Sequence, residues 1–216
     1  MRPADHEYKL MGLAAYNSEK YGQNAYQIYA DTLINDGLKF AYKNLIKDNF
    51  FYFKNKLDGE RFDAIAFGIQ KRTEELLVNW VKSAVKHTGI RNIVITGGVA
   101  QNIKANQLIL DEPEVNSLFV PPGPGDESIS IGAAFLASYK ISNSKLFPKS
   151  ISNGYFFPNS ELITKDKLLR IVPDNWEIKK VNKKDVALLL SKGQIVARFS
   201  SDKVEFGARA LGGRSI

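Results

Sequence analysis

A glycine pair follows a β-branched segment near the middle of the chain, in TGGVAQN at 96–102. Two successive glycines suit a tight turn because glycine tolerates positive φ. They also leave the backbone N–H groups of Gly97, Gly98 and Val99 open to an anion, and a helix N-terminus that follows adds partial positive charge. Asn102 either orients a phosphate or ribose hydroxyl or caps that helix. The pattern is neither a P-loop nor GxGxxG, so phosphate binding and a structural turn both stay open.

A carboxylate lies in a second glycine-containing loop, PPGPGDES at 121–128. Asp126 stands where the next helix is predicted to begin. It is either an N-cap that accepts helix N–H bonds, or a carboxylate ligand for a divalent metal or a metal-bound nucleotide. One carboxylate does not form a metal site. The two histidines, His6 and His87, lack the close helical spacing of paired metal ligands.

Arginines and glycines alternate at the end of the chain, in EFGARALGGRSI at 205–216. The guanidinium groups of Arg209 and Arg214 have the planar geometry that grips phosphate or carboxylate oxygens, and Ser215 offers a hydroxyl. A solvated basic loop is the alternative. Because the segment follows a strand-like stretch at 194–200, we favour an anion site.

Composition limits the classes of function. The 216 residues include no cysteine, which excludes disulfides, a thiol nucleophile and cysteine-ligated zinc. The net charge of +7 suits an anionic substrate, but no basic run is dense enough to favour nucleic acid. No apolar stretch is long enough to cross a bilayer. We therefore expect a cytoplasmic protein that binds neither nucleic acid nor membrane.

The elements that would position these residues alternate between helix and strand. Apolar residues recur at intervals of three and four over 71–87, which predicts a helix that Gly89 ends. The order strand, glycine loop, helix, strand, glycine loop, helix predicts an α/β layered domain. A Ser-, Asn- and Pro-rich stretch after residue 141 predicts a domain boundary, with domains at 1–145 and 146–216. Further predicted helices lie at 24–54 (one or two), 101–110, 129–140 and 183–193, and predicted strands at 91–96, 117–120 and 194–200.

Four motifs, in this order, resemble ATP-dependent O-carbamoyltransferases of nodulation-factor and antibiotic tailoring. They cover essentially the whole chain and read MGLAAYN, ITGGVAQNIKANQLI, LFVPPGPGDESISIGAAFLA and EFGARALGGRSI. The resemblance implies that 1–145 is the C-terminal half of an actin-like, sugar-kinase-like ATPase domain. It implies that 146–216 is a linker and the beginning of a second α/β domain, similar to a carbamoyl-adenylate synthase.

The resemblance also implies a reaction. Carbamoyl phosphate and ATP would give carbamoyl-adenylate, and the carbamoyl group would pass to a hydroxyl of a small-molecule or sugar acceptor near a divalent, iron-type metal. Fixed cations and N–H donors would stabilise the charge that develops on oxygen. The implied residues are Gly97, Gly98, Asn102, Lys9, Gly12 and Ser215 for the nucleotide, Asp126 for the metal, and Arg209 and Arg214 as the catalytic cations.

The chain departs from the family pattern in two ways. Ala208 and Gly213 stand where the usual tail motif, GPRALGNRS, has proline and asparagine. The family's two metal-binding histidines belong to an H-x-x-x-H motif upstream of Met1. We therefore expect a fragment of a longer enzyme that has no carbamoyltransferase activity alone. The alternatives are an actin-like ATPase or sugar kinase, and a non-catalytic basic module that binds anions.

Overall fold

A computed structural model describes residues 7–143, 155–157, 166, 169–179, 181–196 and 204–206. The chain forms two compact units, Met1–Val120 and Pro121–Ile216. Each unit contains both helices and strands, which confirms the predicted α/β class. The sequence-based boundary at 145 falls inside the second unit and stays a prediction.

The described residues of the first unit form five α-helices and four strands. The helices are α1 (Glu7–Ala14), α2 (Glu19–Ala30), α3 (Asn49–Lys56), α4 (Phe62–Thr88) and α5 (Ile103–Leu110), and the strands are β1 (Leu33–Asp36), β2 (Lys39–Tyr42), β3 (Asn92–Val94) and β4 (Ser117–Phe119).

Helix α4 is the central element, because α1, α2 and α5 all contact it. Its C-terminal half and its end were predicted correctly, and Gly89 closes it in the left-handed conformation with φ of 71°. Its start at Phe62 lies nine residues before the predicted one. The added turns bury Ala64, Ala66 and Gly68, small residues that make no apolar stripe. Gly68 lets α2 pack closely, because a Cβ there would lie 2.6 Å from the Tyr26 nitrogen.

The prediction of helices throughout 24–54 was wrong in its middle. Strands β1 and β2 form an antiparallel hairpin there, with Asp36 paired to Lys39. Gly37 has a φ of 60° and Leu38 does not have a positive φ. This is the two-residue loop with glycine first that type II′ hairpin turns require. The aromatic residues of this segment have helical spacing, but Gly37 adopts the positive φ of a hairpin turn, and the chain forms two strands here.

Strands β3 and β4 confirm the two strands predicted around the glycine pair. They are parallel, with Ile93 opposite Leu118, and α5 connects them. Both of these side chains pack on the core cluster of the unit. The buried members of that cluster are Val81, Val85, Ile95, Ala100, Ile109 and Val115.

The second unit contains the helices α6 (Ile129–Ile141) and α7 (Lys183–Ser191) and the strands β5 (Tyr155–Phe157) and β6 (Val204–Glu205). Both helices were predicted. Asn182 begins α7 in a capping box with Asp185, and Gly193 follows its end with φ of 72°. Of the strand predicted at 194–200, residues 194–196 are not in a strand and the rest lie outside the described residues.

Within the residues that the structure describes, none of the helices has both the length and the apolar character that a membrane crossing would need.

Candidate functional site

The glycine pair forms an open turn directly after β3. Gly97 has a φ of 101°, which glycine adopts without strain, and Gly98 starts a single 3₁₀ turn, Gly98–Gln101. Both glycines are exposed, and a Cβ built on either would meet no atom within 4 Å. In the described part of the chain, the N–H groups of Gly97, Gly98 and Val99 donate to no acceptor. Three adjacent backbone donors are therefore free to meet an anion.

Asn102 holds this turn in place. Its Oδ1 accepts hydrogen bonds from the N–H of Ala105 (3.2 Å) and from Nε2 of Gln70 (3.0 Å). Its Nδ2 donates to Oε1 of Gln70 at 2.9 Å. Asn102 is thus the N-cap of α5, the structural role that the sequence left open, and both ends of its amide are engaged. Direct contact between Asn102 and a nucleotide stays a prediction.

The sequence analysis did not identify Gln70 as a residue that supports the glycine turn. Its side chain is 7% exposed on α4, and its Nε2 also donates to Oε1 of Glu74 at 2.7 Å. The pairing with Asn102 ties the glycine turn to the central helix across 32 positions of sequence. The signal that could have found Gln70 is a polar residue two positions after Gly68. Gln70 was not considered because the helix was predicted to begin at residue 71, one position after it.

Two further bonds make the turn rigid. The Ala100 N–H donates to the Gly97 carbonyl at 2.9 Å, and Nδ2 of Asn106 donates to the Ala100 carbonyl at 2.7 Å. Ala100 itself is buried at 2% exposure. A turn that is held before a ligand arrives loses little conformational entropy on binding.

Lys9 and Gly12 lie on α1, which packs on the same central helix α4. Both residues are exposed. The Lys9 ammonium lies 5.8 Å from the ring centre of Tyr8. Within the described residues, no hydrogen bond or ion pair joins Lys9 or Gly12 to the glycine turn. Their role beside a nucleotide stays a prediction.

Asp126 opens the 3₁₀ turn Asp126–Ser128 in the second unit, and its side chain is exposed. The cap role is not observed, because neither this turn nor α6 has a side-chain cap hydrogen bond. Ser128 instead donates from Oγ to the Gly125 carbonyl at 2.9 Å. Among the described residues, no group of three His, Cys, Asp or Glu side chains could hold a metal ion. The described donors therefore do not fit a metal site by themselves.

The segment that leads into the terminal arginines meets the Asp126 loop at Gly123. A Cβ on Gly123 would lie 3.0 Å from Cε1 of Phe206 and 2.9 Å from Oε1 of Glu127, and Gly123 has a φ of 58°. The loop and the first residues of the terminal motif are therefore packed together in this unit. Arg209, Arg214 and Ser215 lie outside the described residues.

Charged contacts between α2 and α4 account for several shifted pKa values. Lys71 forms an ion pair with Glu19 that raises the pKa of Lys71 and lowers that of Glu19. Burial, followed by the bond from its hydroxyl to Glu75 (2.8 Å to Oε2), raises the pKa of Tyr26. These pairs join two helices. The chemistry available at the glycine turn is instead anion binding by backbone N–H groups.

Comparison with known proteins gives a consistent result. The family model described as Carbamoyltransferase N-terminus matches residues 1–135, which include the glycine turn and Asp126. An uncharacterized protein of Synechocystis sp. is 30% identical over 97% of this chain and 38% of its own length. An uncharacterized protein of Methanocaldococcus jannaschii is 27% identical over 100% of this chain and 42% of its own. Nodulation protein U of Sinorhizobium fredii is 32% identical over 66% of this chain and 24% of its own. The chain thus spans less than half the length of these curated relatives.

Proposed function

The chain belongs to the carbamoyltransferase family, and from that premise we propose that it carries the nucleotide-binding turn of an enzyme that transfers a carbamoyl group. Carbamoyl phosphate would be the donor, ATP would be consumed through carbamoyl-adenylate, and a hydroxyl of a small molecule or sugar would be the acceptor. Membership of the family supports a hydroxyl acceptor in general, and the small-molecule or sugar class comes from the resemblance of the sequence motifs.

The observation that carries the proposal is the row of N–H groups at Gly97–Val99, which donate to no acceptor among the residues that the structure describes. Phosphate oxygens accept hydrogen bonds from such donors, and the absence of side chains on Gly97 and Gly98 lets a phosphate approach the backbone. The hydrogen bonds between the buried Gln70 and the half-buried Asn102 tie the end of this turn to α4. This arrangement suits binding and orientation of a nucleotide, since no side chain of the turn is an acid or base.

The parallel pair β3 and β4, connected by α5, is the kind of layered unit that an actin-like ATPase fold contains. In α/β sheets, ligands bind beyond the carboxyl ends of parallel strands, and the glycine turn follows the carboxyl end of β3. This position supports assignment of the first unit to such a domain.

The remaining parts of the proposed site come from the sequence. Asp126 would supply one carboxylate to an iron-type divalent metal, with its other ligands outside the described residues. Arg209, Arg214 and Ser215 would bind the phosphate of carbamoyl phosphate or of the adenylate, and Lys9 and Gly12 would border the nucleotide. No step of the proposed binding at the glycine turn depends on the metal.

Titration of the ¹⁵N-labelled chain with ADP, followed by NMR, tests the proposal. We expect saturable shifts at the amides of Gly97, Gly98 and Val99. Gly98→Ala should weaken ADP binding by about tenfold, the equivalent of one charge-assisted hydrogen bond. The added methyl meets no protein atom within 4 Å, so a loss of affinity would come from the ligand's approach.

Gly132→Ala is the matched control. Gly132 lies in α6, is exposed, and also has open space at its Cβ position, so this change should leave ADP affinity unchanged. If ADP shifts other amides but not those of the turn, or if Gly98→Ala binds as the unaltered chain does, the nucleotide assignment is wrong.

A further inference from the structure

Helix α3 and the first residue of α4 expose a cluster of aromatic rings. Phe50 and Phe51 are 68% and 57% exposed, and their ring centres lie 5.2 Å apart. Phe62 is 79% exposed and lines the same groove of about 560 Å³ as Phe50. The three rings are therefore neighbours, and we call them the phenylalanine patch. Single exposed apolar residues are ordinary, but a cluster of them marks an interaction surface.

The opposite side of α3 attaches it to the first unit. Phe53 is half-buried, and its ring centre lies 5.1 Å from that of the buried Tyr29. Asp48 caps the helix by accepting a hydrogen bond from the Phe51 N–H at 3.0 Å. The helix is therefore already formed and anchored, and Phe50 and Phe51 can meet a partner without a change of fold.

Lysines lie beside the rings. Helix α3 carries Lys54 and Lys56 in its last turn and contains no acidic residue, so its side chains carry a net charge of +2. The Lys54 ammonium lies 5.9 Å from the ring centre of Phe50. Lys47, which is also exposed, precedes the helix by two positions. Among the described residues, these three lysines form no ion pair.

The carboxylates near the patch leave this charge in place. Asp48 is engaged as the cap of α3, and Glu60 accepts a hydrogen bond from Nδ2 of Asn24. Asp58 lines the groove after the helix has ended. The chain as a whole has a net charge of +7, which attracts it to negatively charged surfaces.

This combination of rings and lysines selects the partner. Lysine stems lie along apolar surface while their ammonium groups reach anionic headgroups, and phenylalanine rings enter the acyl boundary beneath them. The core of a protein interface is instead depleted in lysine. A symmetric contact with a second copy would also bring the lysines of two α3 helices together, and like charges repel.

We propose that the phenylalanine patch binds the first unit to a membrane surface that contains anionic lipids. Phe50, Phe51 and Phe62 would lie at the acyl boundary, and Lys54 and Lys56 would contact the headgroups. Binding of this kind needs no helix that crosses the bilayer. The expectation of a protein without membrane contact considered only segments that cross one. The patch is independent of the proposed nucleotide turn.

Flotation of the whole chain with lipid vesicles tests the proposal, because aggregated protein does not float. We expect flotation with mixed phosphatidylcholine and phosphatidylglycerol vesicles, and much less with phosphatidylcholine alone or at high salt. Lys54→Gln combined with Lys56→Gln should weaken binding by about 25-fold, since each lysine near an anionic surface contributes about a factor of five. Phe50→Ser combined with Phe51→Ser should weaken it by about tenfold for each ring.

Lys86→Gln and Ile90→Ser are the matched controls and should leave flotation unchanged. Both residues are exposed and lie at the far end of α4, roughly 40 Å from Phe62 for a helix of 27 residues. Circular dichroism checks the fold of each variant, and if the serine variant does not fold, the lysine variant decides.

Three results would overturn the proposal. The first is failure of the unaltered chain to float with the anionic vesicles. The second is equal flotation of the unaltered chain and the patch variants. The third is a serine variant that loses self-association in light scattering but floats as before, which would make a second copy the partner.

Discussion

The pairing of Gln70 with Asn102 should contribute measurably to the stability of the first unit. Asn102→Ala removes two features at once. The N-cap of α5 loses its acceptor for the Ala105 N–H, and Oε1 of Gln70 loses its donor while remaining buried. Nε2 of Gln70 keeps its bond to Glu74, so only part of that amide is left unsatisfied.

The magnitude follows from these two losses. Removal of an N-cap costs about 1 kcal/mol, and a buried acceptor left without a donor costs about 1–2 kcal/mol. Asn102→Ala should therefore lower the free energy of unfolding by about 2–3 kcal/mol. Asn102→Ser keeps a cap oxygen but cannot reach Gln70 in the same way, and it should lose only the second part.

Urea denaturation followed by tryptophan fluorescence measures the effect. The chain has two tryptophans, Trp80 in the first unit and Trp176 in the second. With Trp176→Phe as the background, the emission of Trp80 reports on the first unit alone. For a slope of about 2 kcal/mol per molar urea, the midpoint should fall by about 1–1.5 M with an unchanged slope.

Two comparisons show whether the reasoning holds. Asp48 caps α3 with an exposed side chain that accepts from the Phe51 N–H at 3.0 Å, so Asp48→Ala removes a cap without leaving a buried partner. A double-mutant cycle of Gln70→Ala and Asn102→Ala should give a coupling energy of about 0.5–3 kcal/mol. If Asn102→Ala costs no more than Asp48→Ala and the cycle shows no coupling, the pair does not hold the glycine turn.

Two other predictions concern the helices around α4. Gly68→Ala places a Cβ 2.6 Å from the backbone nitrogen of Tyr26, so it should destabilise the unit by about 1–3 kcal/mol in urea, whereas Gly12→Ala meets no atom and should be neutral or stabilising. Equal midpoints for the two variants would contradict the close contact of α2 with α4. Burial raises the pKa of Tyr29 from its ordinary value of 10.0 to about 12. The folded state therefore keeps a proton that the unfolded state releases, and stability should be full below pH 10 and fall as pH rises toward 12. Tyr29→Phe should remove the part of this loss of stability that comes from Tyr29. If the urea midpoints of Tyr29→Phe and of the unaltered chain fall equally between pH 10 and pH 12, this prediction is wrong.

The strongest local signals in the sequence agree with the structure. Residues close together in sequence predict the end of α4 at Gly89 and the two strands β3 and β4. Periodicity and glycine chemistry act over a few positions, so a sequence displays them directly. The same local patterns left anion binding and a structural turn both open at the glycine pair. In the structure that turn is exposed, and its N–H groups donate to no acceptor among the described residues.

Other features depend on residues that are far apart in sequence. The amide of Asn102 is engaged because Gln70 of α4 lies opposite it. The β1–β2 hairpin is held against α4 because Arg72 and Trp80 donate to its carbonyls. The sequence by itself determined the family motifs, the α/β class and the open glycine turn, because these are properties of short segments. Only the tertiary structure decided which amide supports the turn and which donors remain unsatisfied, because a hydrogen-bond partner is set by packing between helices and is not encoded in local spacing.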